Sequence, residues 1–281
     1  MTVYPFLIHF GRFTVTGYGI MMMFAFLVAG WVYAREVARA GMDPAIAWDS
    51  VVFAVIGGLL GGKLYYAALV GDPKALLSRG GLVWYGGFAG GLIAVFAYMW
   101  WKKLPIRRLL DLISPAMVVG YMLGRVGCFL VNDDYGLPTT LPWGMEVPRG
   151  APPSTAGVLE QQFHLTMPPG TPAEQVMAVH PTQLYEVALM FIIFWYLWRI
   201  RAHQHGAGWL FGLYLVLSAA ERFLVEFLRA KDDRFFGPVT LAQTLSVVTV
   251  GVGVWLMLRY RQPILRLSTE KSSGGGEDAN G

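Results

Sequence analysis

One cysteine, Cys128, is all the sequence contains, which excludes an internal disulfide and any cysteine-based metal cluster. No zinc-binding His-Glu-x-x-His run occurs anywhere in the 281 residues, so an intramembrane metalloprotease is disfavoured and no metal or cofactor is expected. Charge is scarce too. Only 14% of residues are Asp, Glu, Lys or Arg, against about 25% in a soluble domain. With 55% hydrophobic residues, this shortage excludes an ordinary soluble protein. The small basic excess, formally +4, reads as membrane topology and anionic lipid rather than nucleic acid.

What is present in quantity is long apolar runs. Segments at 16–33, 47–70, 82–101, 109–131, 184–198, 209–227 and 241–258 have the character of spanning helices, although several fall short of the ~20 residues expected before flanks are counted. The expectation is an all-α integral membrane protein with about seven transmembrane helices and an outer-side loop or head region. Residues 1–262 form a single membrane domain with the head at about 132–181, and 263–281 a largely disordered cytoplasmic tail. The first run lacks a small-residue cleavage site and reads as a retained helix rather than a signal peptide. With the N-terminus outside, twelve basic residues fall in inner segments and seven in outer ones. The positive-inside rule therefore favours an outside N-terminus and an inside C-terminus.

Six charges interrupt the apolar runs: Lys63, Arg125, Glu186, Glu221, Arg222 and Glu226. On this topology all six lie in the outer half of the membrane. A charge at the bilayer centre costs on the order of 3 kcal/mol on the insertion scale, which makes such residues functional candidates. Arg222 and Glu226, four apart, are placed to neutralise each other on one helix face. Lys63 has the length to snorkel, and Glu221 reads as a partner for another helix. Arg125 has no acid three or four residues away. Its partner must come from another helix, the outer loop or a ligand.

Two runs share the spacing Gly-Gly-x-x-Gly-Gly: Gly57, Gly58, Gly61 and Gly62, then Gly86, Gly87, Gly90 and Gly91. Small residues four apart let helix backbones approach closely; near the outer surface the second run has room for a lipid headgroup as well. The proline-rich stretch 132–181 carries Trp143, Leu159 and Phe163, which favours a packed head over a free linker. A long insertion of this kind is usually functional or disordered. It ends at His180-Pro181-Thr182-Gln183-Leu184-Tyr185-Glu186.

In order along the chain, Tyr18-Gly19-Ile20, Trp84-Tyr85-Gly86-Gly87, Gly124-Arg125-Val126-Gly127 leading to Gly136, the stretch from His180 to Glu186, and Glu221-Arg222-Phe223-Leu224-Val225-Glu226-Phe227-Leu228-Arg229 together resemble the prolipoprotein diacylglyceryl transferase family. The resemblance implies a multi-pass enzyme of the bacterial cytoplasmic (inner) membrane. Such an enzyme moves a diacylglyceryl group from phosphatidylglycerol to the lipobox cysteine of a preprolipoprotein signal peptide, the first step of lipoprotein maturation. Its partners are those two substrates and membrane lipid, with no nucleic acid. The alternative is a divergent relative that binds or moves phospholipid without transferring it.

The chemistry suits the residues, because a guanidinium binds phosphate bidentately and stays charged in a low-dielectric site. The resemblance makes Arg125 and Arg222 the phosphate clamp, with Tyr85, Asp133, Glu226 and His180 as further catalytic candidates. Tyr18, Gly86, Gly87, Gly136, Gln183, Tyr185 and Arg229 become substrate-binding candidates. Two departures matter: Tyr85 stands where the family commonly has histidine, and Cys128 where it commonly has asparagine. A tyrosine of reference pKa near 10 is a poor general base at neutral pH. The base is therefore open among Asp133, Glu226 and His180, and Cys128 reads as a small packing residue.

Overall fold

The structure is a computed structural model and describes residues 1–281 except 12, 78–80, 82, 231–233, 237–238 and 263–281. The tail expected at 263–281 lies outside the described residues. Strands β1 (Leu7–Phe10) and β2 (Phe13–Thr16) pair antiparallel and lead into α1 (Gly17–Arg39). Thr16 Oγ1 accepts the Gly19 amide at 3.1 Å, satisfying a donor that a helix start leaves free. Next come α2 (Ala45–Val70), a short 3-10 turn at Pro73–Leu77, α3 (Trp84–Trp101) and α4 (Ile106–Val131). After α4, strands β3 (Met145–Glu146) and β4 (Ala178–Val179) pair across an excursion that contains α5 (Ala156–Phe163). The chain closes with α6 (Thr182–Ile200), α7 (Trp209–Glu226), the pair β5 (Arg234–Phe236) and β6 (Val239–Thr240), and α8 (Leu241–Arg259).

Among the described residues, seven helices of 18 to 26 residues stand where the seven apolar segments were read. Five of them, α1, α2, α4, α6 and α8, are long and apolar enough to cross a membrane. The clearest boundary difference is at α1, which runs on past Tyr33 to Arg39. Its extension is held by an ion pair between Glu36 and Arg39 at 2.6 Å, one turn apart. Hydropathy ends before such a charged turn does.

The chain divides into two compact units, residues 29–116 and residues 1–28 with 117–281. One division falls beside Pro115 in α4, where the missing amide removes a helical hydrogen bond. Within unit 29–116, α2 and α3 meet glycine to glycine. A Cβ on Gly61 would lie 2.3 Å from Gly86 O, and one on Gly90 2.3 Å from Gly57 O, so no side chain fits at either. Gly58 and Gly87 are looser, at 3.5 and 3.4 Å from the facing carbonyls. Gly86, a substrate-binding candidate in the sequence, is therefore buried against α2.

The other unit contains a second close approach, Gly212 of α7 against Gly253 of α8, where an added Cβ would sit 2.7 and 2.6 Å from the opposing carbonyl oxygens. Val118, Met190, Leu197, Leu210 and Leu213 form the apolar core where α4, α6 and α7 pack. The segment 132–181 is a packed body. Tyr135, Met145, Val147, Leu159 and Val179 are its buried centre, and the N-terminal chain joins it through Val3 N donating to Glu146 O at 2.9 Å.

Candidate active site

Arg125 finds its partners on another helix and in the following loop. Its Nη1 donates to Asp134 Oδ2 at 2.8 Å, and its Nε lies 2.6 Å from Glu186 Oε2. The Nε–H itself is directed at Tyr121 Oη, 3.0 Å away and one turn back on α4, so the contact with Oε2 is ionic rather than a hydrogen bond. Tyr121 Oη in turn donates to Glu186 Oε1 at 3.3 Å, and the guanidinium lies over the Tyr121 ring at 5.0 Å. Nothing about Arg125 is left to chance in this geometry: a charge-assisted pair on each side and a ring beneath fix its plane.

The loop after α4 aims Asp134. Asn132 and Asp134 both adopt left-handed backbone, φ 57° and 62°, a region that asparagine and aspartate tolerate better than most residues. The first turn of α6 then holds the loop: Thr182 Oγ1 donates to Asp134 O at 2.8 Å and Gln183 Nε2 to Asp133 O at 2.5 Å. Gln183, expected at the substrate, is fully buried as a brace for this loop. Asp133, the candidate acid, accepts the Asp134 amide on Oδ1 at 2.7 Å. Its neighbour Asp134 pairs with Arg125.

Asp134 also accepts Arg229 Nη2 on Oδ1 at 2.6 Å, so one carboxylate bridges two guanidinium groups. Arg229 further approaches Glu186 at 3.5 Å and Glu226 at 3.7 Å. With its side chain 3% exposed, Arg229, a substrate-binding candidate in the sequence, acts in this structure as an internal tie. Glu226, a candidate base, is ion-paired with Arg222 one turn earlier on α7, as their spacing suggested. Arg222 is the more open cation, its side chain 24% exposed against 12% for Arg125. Three arginines thus meet three carboxylates, Asp134, Glu186 and Glu226.

Tyr18 joins this group through α1. Gly127 of α4 has no side chain, and a Cβ there would lie 3.2 Å from Tyr18 Cδ2; Tyr18 accordingly stands within electrostatic reach of Arg125, Cys128, Asp133 and Asp134. Cys128 Sγ lies 4.0 Å from Arg125 Nη1. Gly136 is enclosed: a Cβ would fall 2.4 Å from Leu228 O and 2.8 Å from His180 Cβ. It pairs in a bridge with Arg229, so its smallness brings that arginine to the loop.

His180 belongs to a different neighbourhood. Its Nδ1 lies 3.1 Å from Tyr185 Oη, which accepts Trp143 Nε1 at 2.7 Å. Partial burial lowers its pKa from the ordinary 6.5, favouring the neutral ring. Tyr85, Gly86 and Gly87 lie in the other unit, where Tyr85 is exposed. The sequence reading did not name Asp134 and Tyr121 as site residues, whereas Glu186 was among its functional candidates without an assigned role. Tyr121 was accessible in principle as the position one turn before Arg125.

The family model of prolipoprotein diacylglyceryl transferase matches residues 5–259. The chain belongs to that family. A phosphatidylglycerol–prolipoprotein diacylglyceryl transferase of Nitratidesulfovibrio vulgaris (strain Miyazaki F) is 32% identical over 272 residues, covering 92% of this chain and 94% of the relative. Transferases of the same name from Chromohalobacter salexigens and Clostridium tetani are 30% and 29% identical over 277 and 249 residues. These cover 92% and 86% of this chain and 94% and 92% of the respective relatives. Family membership and the apolar helices make this a helical membrane protein of a transferase family.

Proposed function

We propose that the protein transfers a diacylglyceryl group from phosphatidylglycerol to the lipobox cysteine of a prolipoprotein, and that Arg125 and Arg222 clamp the phosphate. The reaction breaks the bond between the glyceryl carbon and a phosphate oxygen. A thiolate sulfur forms the new thioether, glycerol phosphate departs with an additional negative charge, and the thiol proton passes to a base or to solvent. A thiol of pKa near 8.5 must first ionise, so the protein's task is positioning and charge stabilisation. Arg222, the more exposed cation, meets the phosphate first; Arg125, locked by Tyr121, Glu186 and Asp134, supplies the preorganised second donor. Asp134 and Arg229 keep the loop and α7 in register.

Topologically, we place seven helices across the bacterial inner membrane with the N-terminus and the 132–181 body outside and the C-terminus inside. The positive-inside balance supports this, and it sets the arginine cluster at the outer ends of α4 and α7, near headgroup depth. The observation that carries the functional reading is the Arg125 arrangement, a cation oriented from three sides within a chain of the transferase family.

Purified protein given phosphatidylglycerol vesicles and a lipobox peptide is expected to form the thioether-linked product, and Arg125→Ala to lower the rate by about 100-fold or more. Mass spectrometry of the peptide reads both. No product from the intact protein, under conditions where a relative transfers, would leave lipid binding without transfer as the function.

A further inference from the structure

A stretch without charge runs from Tyr135 to Met145, between Asp134 and Glu146. Within it Leu141, Pro142, Trp143 and Gly144 form a turn. The Gly144 amide donates to Leu141 O at 2.9 Å, and proline holds the second position, where its fixed φ suits a turn. The turn is tied to the body behind it: Thr139 N donates to Ala178 O at 2.8 Å, and Leu141 N to Thr139 Oγ1 at 3.2 Å. Trp143 is thereby presented outward. Its indole N–H is satisfied by Tyr185 Oη at 2.7 Å, while the residue stays 56% exposed and Leu141 beside it is exposed as well. What remains open on Trp143 is therefore its apolar ring.

Tyr185 shows what this patch continues. It stands in the first turn of α6, and Leu189, Ile192 and Tyr196 follow it four, seven and eleven residues on, the spacing of one helix face. All three are exposed, whereas Gln183, Glu186, Met190 and Leu197, on another face, are buried. Because α6 is long and apolar enough to cross a membrane, its exposed apolar stripe is a surface for acyl chains. The turn lies at the end of that stripe, where hydrocarbon gives way to headgroups. Tryptophan and tyrosine are enriched at this depth because each ring joins an apolar body to a polar edge. Continuity with a spanning helix separates the patch from the single apolar residues scattered over any surface. Together with the absence of charge along the stretch, it favours lipid as the occupant over a polar or charged partner.

We propose that the turn 141–144 is a lipid anchor: Leu141 and the Trp143 ring enter the headgroup layer of the leaflet on the side of the 132–181 body, and the hydrogen bond from Trp143 to Tyr185 couples that anchor to α6. The inference rests on α6 spanning the membrane and not on the transfer reaction, and it holds whichever side of the membrane the body faces. Its consequence is mechanical. The body is held at a fixed height beside the first turn of α6, the same turn that braces the loop carrying Asp133 and Asp134.

Spin labels on the full-length protein in phosphatidylcholine nanodiscs test it, in a Cys128→Ala background with Trp143 kept. Leu141→Cys carries a label on the turn, Ile192→Cys one on the α6 stripe, and Gln162→Cys one on the exposed surface of α5 in the same body. Collisions with oxygen, which concentrates in the bilayer, are compared with collisions with a water-soluble nickel chelate. The labels at 141 and 192 are expected to favour oxygen, and the label at 162 the nickel chelate. Adding Trp143→Glu, a charge at an interfacial aromatic position, is expected to shift the label at 141 to the nickel chelate while the label at 192 stays with oxygen. That contrast separates release of the turn from loss of the fold. A label at 141 as open to nickel as the one at 162 overturns the anchor, and so does a label at 192 that favours nickel. Shielding at 141 that appears only when a lipobox peptide is added overturns it too, making the patch a peptide surface. If Trp143→Glu leaves the label at 141 unmoved, Trp143 is not the anchoring residue.

Discussion

Asp134 holds Arg125 with one oxygen and Arg229 with the other, so a single short side chain ties the end of α4 to the residues just beyond α7. Removing it leaves two guanidinium groups facing each other with less counter-charge. Its side chain is 26% exposed, which places the effect below the 3–5 kcal/mol typical of breaking a fully buried pair. Asp134→Ala is expected to cost about 2–3 kcal/mol of stability, whereas Asp133→Ala, which loses a hydrogen bond to a backbone amide, costs about 1 kcal/mol. Denaturant unfolding of the two variants in one detergent reads the difference. An equal or reversed order would overturn the assignment of this structural role to Asp134. Both are acids in the same short loop, and sequence pattern does not separate them; the left-handed backbone at Asp134 and the braces from Thr182 and Gln183 do.

At the scale of elements, helix contact in this chain is made by absent side chains. The repeated Gly-Gly-x-x-Gly-Gly spacing announced a close approach of α2 and α3, but not which glycines face inward. The geometry divides them. Gly61→Ala and Gly90→Ala place a methyl against a backbone carbonyl at 2.3 Å and are expected to destabilise by about 1–3 kcal/mol each. Gly58→Ala and Gly87→Ala meet ordinary contact distances and should stay within about 1 kcal/mol of wild type, apart from the helix propensity gained. Thermal unfolding of the four variants distinguishes the pairs, and uniform tolerance would sink the assignment. The Gly212–Gly253 contact of α7 and α8 carried no comparable repeat in the sequence, because each helix contributes one glycine to it.

For the whole molecule, the proposed orientation has a direct readout. In a Cys128→Ala background, Thr2→Cys is expected to react with a membrane-impermeant maleimide in intact spheroplasts, and Gln262→Cys only after permeabilisation. The opposite pattern would put the arginine cluster at the inner face and remove the proposed access of a prolipoprotein arriving from outside. Length and apolarity alone do not decide this, since an apolar run reads the same from either side; the basic residues between runs carry the direction.

The sequence by itself determined the seven long helices, the membrane class and the family, because apolar run length and ordered short motifs are properties of neighbouring residues. It also showed that Arg125 needed a partner. Only the tertiary structure decided that Glu186 and Asp134 are those partners, that Arg229 is an internal tie, that Gly86 packs against α2, and that Glu221 faces a cavity. These depend on which faces of separate helices meet and on how one loop turns. A charge's partner is set by packing across distant parts of the chain, whereas a helix is set largely by the residues within it.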